Sequence, residues 1–186
     1  MLIFVGKIMK IFVVLALVFS LFGCSSPSVD NYAGTKPEFN LRDFFDGKLT
    51  AHGTVQDRQG NLLRRFTATI DATWQGNTLT LDEDFIFDDG ELQKRVWTVI
   101  DLGDGRYSGT AGDVIGTAQG VARGAVFHWQ YDLAITVDDA DWVITLDDWM
   151  YLIDDNTVIN KTEMRKWGFK VGDITLVIAK NKLSGI

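Results

Sequence analysis

The chain predicts an all-β fold, an antiparallel meander of roughly eight to ten strands that closes on itself, and three observations carry that expectation. Stretches rich in Val, Ile, Thr, Phe and Trp alternate with turn chemistry at Gln59-Gly60-Asn61, Gly76-Asn77, Asp88-Asp89-Gly90, Gly103-Asp104-Gly105, Asp138-Asp139 and Asp154-Asp155-Asn156, mostly short enough to be hairpins. Within the stretches apolar residues fall at every second position, the period of a strand with one wet face. Only 2 prolines interrupt the 186 residues, and apart from a helical turn expected near Leu41 to Phe45 no segment has helical apolar spacing. A sheet of this size must close into a barrel or fold into a sandwich, because an open meander leaves bare edges.

The first element stands outside that sheet. Lys7 and Lys10 precede an apolar core from Ile11 to Phe22, and Leu21-Phe22-Gly23-Cys24 closes it, the three-part layout of a secretory signal that ends at a lipidated cysteine. The core falls short of the roughly 20 apolar residues needed to span a bilayer. Residues 1–23 are therefore expected to be removed as a lipoprotein signal peptide, leaving Cys24 acylated at a membrane of the bacterial envelope. Ser25, where Asp would signal retention, favours the outer membrane facing the periplasm. Stable anchoring requires more than one acyl chain on Cys24. Residues 24–36 read as the acylated cysteine and a flexible tether of Ser, Pro, Asn, Gly and Thr, residues 37–182 as the barrel domain and 183–186 as a tail.

Charge and cysteine usage narrow the partners. The chain has 18 basic and 25 acidic residues, and loss of Lys7 and Lys10 takes its formal charge from −7 to −9, which disfavours nucleic acid and anionic headgroups as partners. Its 1 cysteine is the anchor, so no internal disulfide forms and the domain must hold by burial.

The strands follow in order. Phe66, Ala68, Ile70, Ala72 and Trp74 alternate with Thr67, Thr69, Asp71 and Thr73. Glu83 shares a face with Leu79, Leu81, Phe85 and Phe87, Arg95 alternates with Trp97 and Val99, and Asp113 falls in phase with Tyr107, Ala111 and Ile115. Phe127, Trp129, Tyr131, Leu133, Ile135 and Val137 define a second clean stripe, with His128, Gln130 and Asp132 between them. From Trp142 to Ile153 both faces are apolar: Trp142, Ile144, Leu146, Met150 and Leu152 on one, Val143, Trp149, Tyr151 and Ile153 on the other. That strand needs cover on both sides. The segment holding Phe39, Phe44 and Phe45 is the expected cover, plugging a barrel mouth or packing outside.

Polar residues on apolar faces are the candidates for chemistry, since an ionised group inside a barrel costs several kcal/mol unless paired. Glu83, Asp113 and Asp148 qualify, with Arg95, Arg64 or Arg65 as the opposite charge. Two arrangements satisfy the pattern: a closed salt bridge that fixes register, or a cluster whose arginine receives a ligand's acid headgroup. The histidines are His52 and His128 alone, too few for a zinc site, and no cofactor is expected. His128 lies on a polar face, where solvation explains it, although a pairing with Asp147 or Asp148 for acid-base work fits the same positions. Neither a nucleophile elbow nor a phosphate-cradling loop is present. Asp84, Asp88, Asp89 and Glu91 miss the spacing of a calcium loop and suit a hairpin turn. Trp74, Trp129 and Trp142 suit the core, whereas Trp149 and Tyr151 form an aromatic patch if nothing covers them.

The residues resemble a family of uncharacterised proteobacterial lipoproteins with a domain of unknown function and a lipocalin-like, calycin-type β-barrel. The resemblance runs from about Tyr32 to Lys180 and is carried by Tyr32-Ala33-Gly34-Thr35-Lys36-Pro37, Phe44-Phe45-Asp46-Gly47, Asp57-Arg58-Gln59-Gly60, Arg64-Arg65-Phe66, Leu81-Asp82-Glu83-Asp84-Phe85, Gly112-Asp113-Val114-Ile115-Gly116 and Asp147-Asp148-Trp149-Met150-Tyr151. It implies a lipocalin-like closure with a short N-terminal covering segment and makes a fatty acyl ligand the natural candidate; it implies no catalytic activity.

Three functions follow as expectations. An anchored barrel that holds a hydrophobic small molecule, fatty acyl or lipid in kind, predicts a cavity lined by Phe66, Ile70, Phe85, Trp129, Leu133 and Ile144, with Glu83, Arg95 and Asp148 as its polar group. A structural or assembly factor that contacts another envelope protein predicts a filled interior. An enzyme acting on a bound lipid through Asp148, Glu83 or His128 predicts a perturbed carboxyl or histidine beside an open pocket.

Overall fold

A computed structural model describes residues 27–137 and 140–180. The signal peptide, Cys24, the Asp138-Asp139 turn and the tail at 183–186 lie outside the described residues. The ten strands are β1 (Gly47–Asp57), β2 (Leu62–Gln75), β3 (Thr78–Phe87), β4 (Leu92–Gly103), β5 (Arg106–Thr110), β6 (Val114–Arg123), β7 (Val126–Val137), β8 (Ala140–Asp154), β9 (Thr157–Lys166) and β10 (Phe169–Lys180). Each pairs antiparallel with its sequence neighbours, and β1 pairs with β10 from Leu49–Lys180 to Asp57–Gly172 to close the barrel. Closure removes the two edges an open meander would expose. The architecture is a closed up-and-down barrel, not a sandwich.

Alternation sets which side chains face inward. Phe66, Ala68, Ile70 and Ala72 of β2, Phe127, Trp129 and Leu133 of β7, and Ile144, Leu146 and Leu152 of β8 are buried. The wide Trp129 ring needs room on the opposite strands, and glycine provides it: a Cβ on Gly120 would sit 2.1 Å from that ring, and one on Gly109 2.9 Å. At the β9–β10 hairpin, Trp167 and Gly168 hold φ of 52° and 83°, the left-handed pair of a type I′ turn, where Asn is the common first residue and Trp is not.

One end is plugged. Asn40 caps α1 (Leu41–Phe44), its side chain accepting from the Arg42 amide at 3.0 Å, and the helix drives Phe39, Leu41, Phe44 and Phe45 into the barrel end at 2–4% exposure. Phe39 meets Phe127 at 6.1 Å, edge to face. Trp74 Nε1 donates to the Phe45 carbonyl at 2.8 Å while the Arg42 guanidinium lies 4.1 Å over the indole. The phenylalanines therefore plug the interior and do not cover the outside of β8. That outer face is covered from further upstream: a 3-10 turn, Val29–Tyr32, sets Tyr32 6.2 Å from both Trp149 and Tyr151. The composition of residues 24–36 gives no sign of this turn.

The other end carries the β1–β2, β3–β4, β5–β6, β7–β8 and β9–β10 connections. Leu62, Leu63, Ile86, Leu92, Trp167 and Phe169 are exposed around it. Strand β5 is short, and β4 meets it only from Thr98 to Gly103. The stretch Leu92–Trp97 pairs with β3 alone among the described residues, which leaves a slot in the wall beside the β5–β6 turn.

Candidate functional site

Between the plug and the open end lies a cavity of about 410 Å³, within the range of small-molecule sites. Its wall includes every residue expected there: Phe66, Ile70, Phe85, Trp129, Leu133 and Ile144 on the apolar side, and Glu83, Arg95 and Asp148 as polar groups. Period two along β2, β3, β4, β7 and β8 brings them together, because each is in phase with a buried neighbour. Leu41 and Phe45 of the plug form its floor, and Trp97, Leu81 and Met150 extend the apolar lining.

The polar group differs from the expectation in its pairing. Glu83 and Arg95 stand opposite each other in the β3–β4 register, yet the guanidinium turns to Asp113 in the β5–β6 connection. Arg95 Nη2 and Nε donate to one Asp113 oxygen at 2.7 and 3.0 Å, and Nε lies 3.1 Å from the other. The side chains retain 18% and 37% exposure. Burial alone would lower the Arg95 pKa, but the Asp113 hydrogen bonds and the attraction of Tyr131, Asp113 and Glu83 together outweigh it, so the net displacement is upward. Asp113 is therefore no member of an inward stripe with Ile115, which is 49% exposed; the β5–β6 turn resets the phase, so that Val114 packs inward at the start of β6. Arg64 and Arg65 do not serve the interior carboxylates either. Arg64 pairs with Asp89 at 2.9 Å and Glu91 at 2.7 Å over the Phe87 ring, and Arg65 pairs with Asp88 at 2.9 Å, all at the open end.

Glu83 consequently enters no salt bridge or hydrogen bond among the described residues, and its remaining accessible surface faces the cavity. Burial pushes its carboxyl up to about 7, against the partial pull of Arg95. Asp148, 5% exposed, accepts a hydrogen bond from Thr162 Oγ1, and the Tyr131 and Asn160 side chains also favour its charged form. Burial still carries it up to about 6. Tyr131 is raised well above the usual phenol range, by burial first and by the Asp148 charge second. Its ring stands edge to face with Trp97 at 5.0 Å.

Sequence reasoning missed Tyr131, Asn160 and Thr162 as parts of this group. Asn160 and Thr162 are 2% and 4% exposed, with Thr162 Oγ1 2.9 Å from Asn160 Oδ1. The signal was there in the alternation of Val158, Asn160, Thr162 and Met164 along β9. His128 lies on the outer wall, stacked 4.3 Å from Trp149 with Nε2 2.6 Å from Asp147 Oδ1. It is away from the cavity and shares no site with Asp148.

These features define a class: a closed, hollow, lipocalin-like β-barrel with a polar group set into an apolar interior. The chain belongs to the protein family of unknown function DUF3833, which matches residues 18–180. No curated protein matches it. Among solved structures it is similar to an S-type phycobiliprotein lyase from Guillardia theta, at 8% identity and a TM-score of 0.57 over 84% of this chain and 99% of that one. It is also similar to a protein of unknown function from the DUF3598 family of Nostoc punctiforme, at 10% identity and a TM-score of 0.59 over 85% of this chain. It spans 53% of that second protein. At such identities the likeness is one of fold.

Proposed function

We propose that this protein binds a hydrophobic small molecule, lipid-like in kind, inside its barrel and presents it in the bacterial envelope, anchored through acyl chains on Cys24. The observation that carries the reading is the cavity of about 410 Å³, walled by aromatic and aliphatic side chains. Empty apolar space inside a barrel forfeits dispersion contacts and cavity energy, a cost that a ligand recovers. The likeness to a phycobiliprotein lyase supports a barrel that handles a small molecule, and the Lys7 to Cys24 pattern supports the anchor. A purely structural role with a filled interior has the cavity against it.

The test is mass spectrometry of an organic extract. A chain beginning at Ser25 retains every described element, so it would be secreted to a bacterial periplasm behind a cleavable signal and purified without detergent. A stoichiometric apolar species absent from a control protein supports the reading; a clean extract, together with failure of single-chain amphiphiles to bind, removes it. Separately, release of palmitate label on replacing Cys24 by Ser would establish the anchor, and label retained by that variant would refute it.

A further inference from the structure

Resting on that ligand-binding reading, we infer that the ligand's polar end is a nitrogen-borne hydrogen-bond donor, an amine or a protonated or N–H-bearing heterocycle, received by Glu83 and Asp148, and not an acid received by Arg95. Three geometric facts converge on it. Arg95, a cation on the cavity wall, already commits Nε and Nη2 to Asp113, so its charge is neutralised in place and only part of its donor set is left for an incoming acid. Glu83 faces the cavity with no hydrogen bond or salt bridge among the described residues, between Leu81 and Phe85 on its own strand and beside Trp97 and Arg95 of β4. Asp148 accepts from Thr162 on the neighbouring strand β9 and also lines the cavity.

The charge count points the same way. The group holds Glu83, Asp113 and Asp148 against Arg95, so an anionic headgroup would add a fourth negative charge in a low-dielectric interior. A cationic or N–H headgroup supplies the missing donor and lets both carboxylates ionise. Burial pushes both carboxyls toward the neutral form, a displacement that a cationic headgroup beside them would reverse. The apolar body of the ligand would then lie toward Phe66, Phe85 and Leu133.

The experiment is calorimetric titration of the Ser25 chain at pH 8 with decylamine, decanol and decanoate, which share an apolar body and differ at the head. Decylamine is expected to bind at least about tenfold more tightly than decanoate, with decanol between them. In Glu83→Gln the amine preference should shrink severalfold while decanol affinity holds. In Asp113→Asn, which frees Arg95, decanoate should gain. Asp148→Asn is the companion variant should Glu83→Gln fold poorly, and it predicts the same loss. Decanoate binding most tightly to the parent chain would overturn the inference and return Arg95 to the headgroup role. Equal affinities would overturn it while leaving the cavity reading intact, and binding of none of the three would overturn both.

Discussion

The two ends of the barrel are made from the same meander and treated in opposite ways. At the plugged end, Phe39, Leu41, Phe44 and Phe45 fill the space between strands at 2–4% exposure, and the polar atoms of the plug are satisfied, Trp74 by the Phe45 carbonyl and Arg42 by the Gly76 carbonyl at 2.8 Å each. Toward the other end the interior is hollow, its carboxyls are only partly satisfied, and apolar side chains stand in solvent around the rim. One end stabilises the frame, so the other can stay empty. The difference teaches that cavity and polar group are tolerated features of an otherwise well-packed barrel.

Substitutions at each end break or sharpen that contrast. The largest effect is expected for Phe44→Ala, which should lower unfolding free energy in urea by about 3–5 kcal/mol, whereas Phe85→Ala on the cavity wall should cost clearly less because its neighbours already border empty space. Equal losses would erase the distinction between the ends. Next comes Glu83→Gln. Burial raises the folded carboxyl to about 7 from its ordinary value of 4.5, so between those values the folded chain keeps a proton that the unfolded chain has released, and stability falls as pH rises. Removing the carboxylate should therefore stabilise the protein at pH 8 by on the order of 2–3 kcal/mol, with the gain vanishing near pH 4; a gain independent of pH would argue against a buried titrating carboxyl.

Smaller effects probe each end's surface. Trp74→Phe deletes the donor to the Phe45 carbonyl and should cost about 1 kcal/mol by thermal or chemical unfolding; no change would mean that water replaces the indole. At the opposite rim, Trp167→Asn puts the residue a type I′ turn prefers into a left-handed position and should stabilise by a few tenths of a kcal/mol. A loss there would show that the exposed indole contributes packing not evident from its 86% exposure.

Much of this was legible from period two alone. The stripes Phe66 to Trp74 and Phe127 to Ile135 gave the inward faces, and the same phase put Glu83 and Asp148 on the cavity wall. Charge pairing was not legible, because it depends on departures from the period. The β5–β6 turn carries Asp113 sideways to Arg95, and no alternation count across Gly112 anticipates that. The packing of Tyr32 on Trp149 and Tyr151 was hidden for a different reason: a polar stretch contributes one aromatic residue, too little to register as an element. Asn160 and Thr162 were readable from their phase with Val158 and Met164 along β9.

The slot beside β5 has a kinetic consequence. Since Leu92–Trp97 has a strand neighbour on the β3 side alone, every second amide in this stretch points away from the ladder. Deuterium uptake should therefore alternate along it, fast then slow, from the open rim into an otherwise closed wall. The Arg95–Asp113 pair spans that gap from strand to turn, so Asp113→Asn should quicken the slow members as well. The barrel would then breathe through its side, giving a bulky occupant a route that avoids both ends.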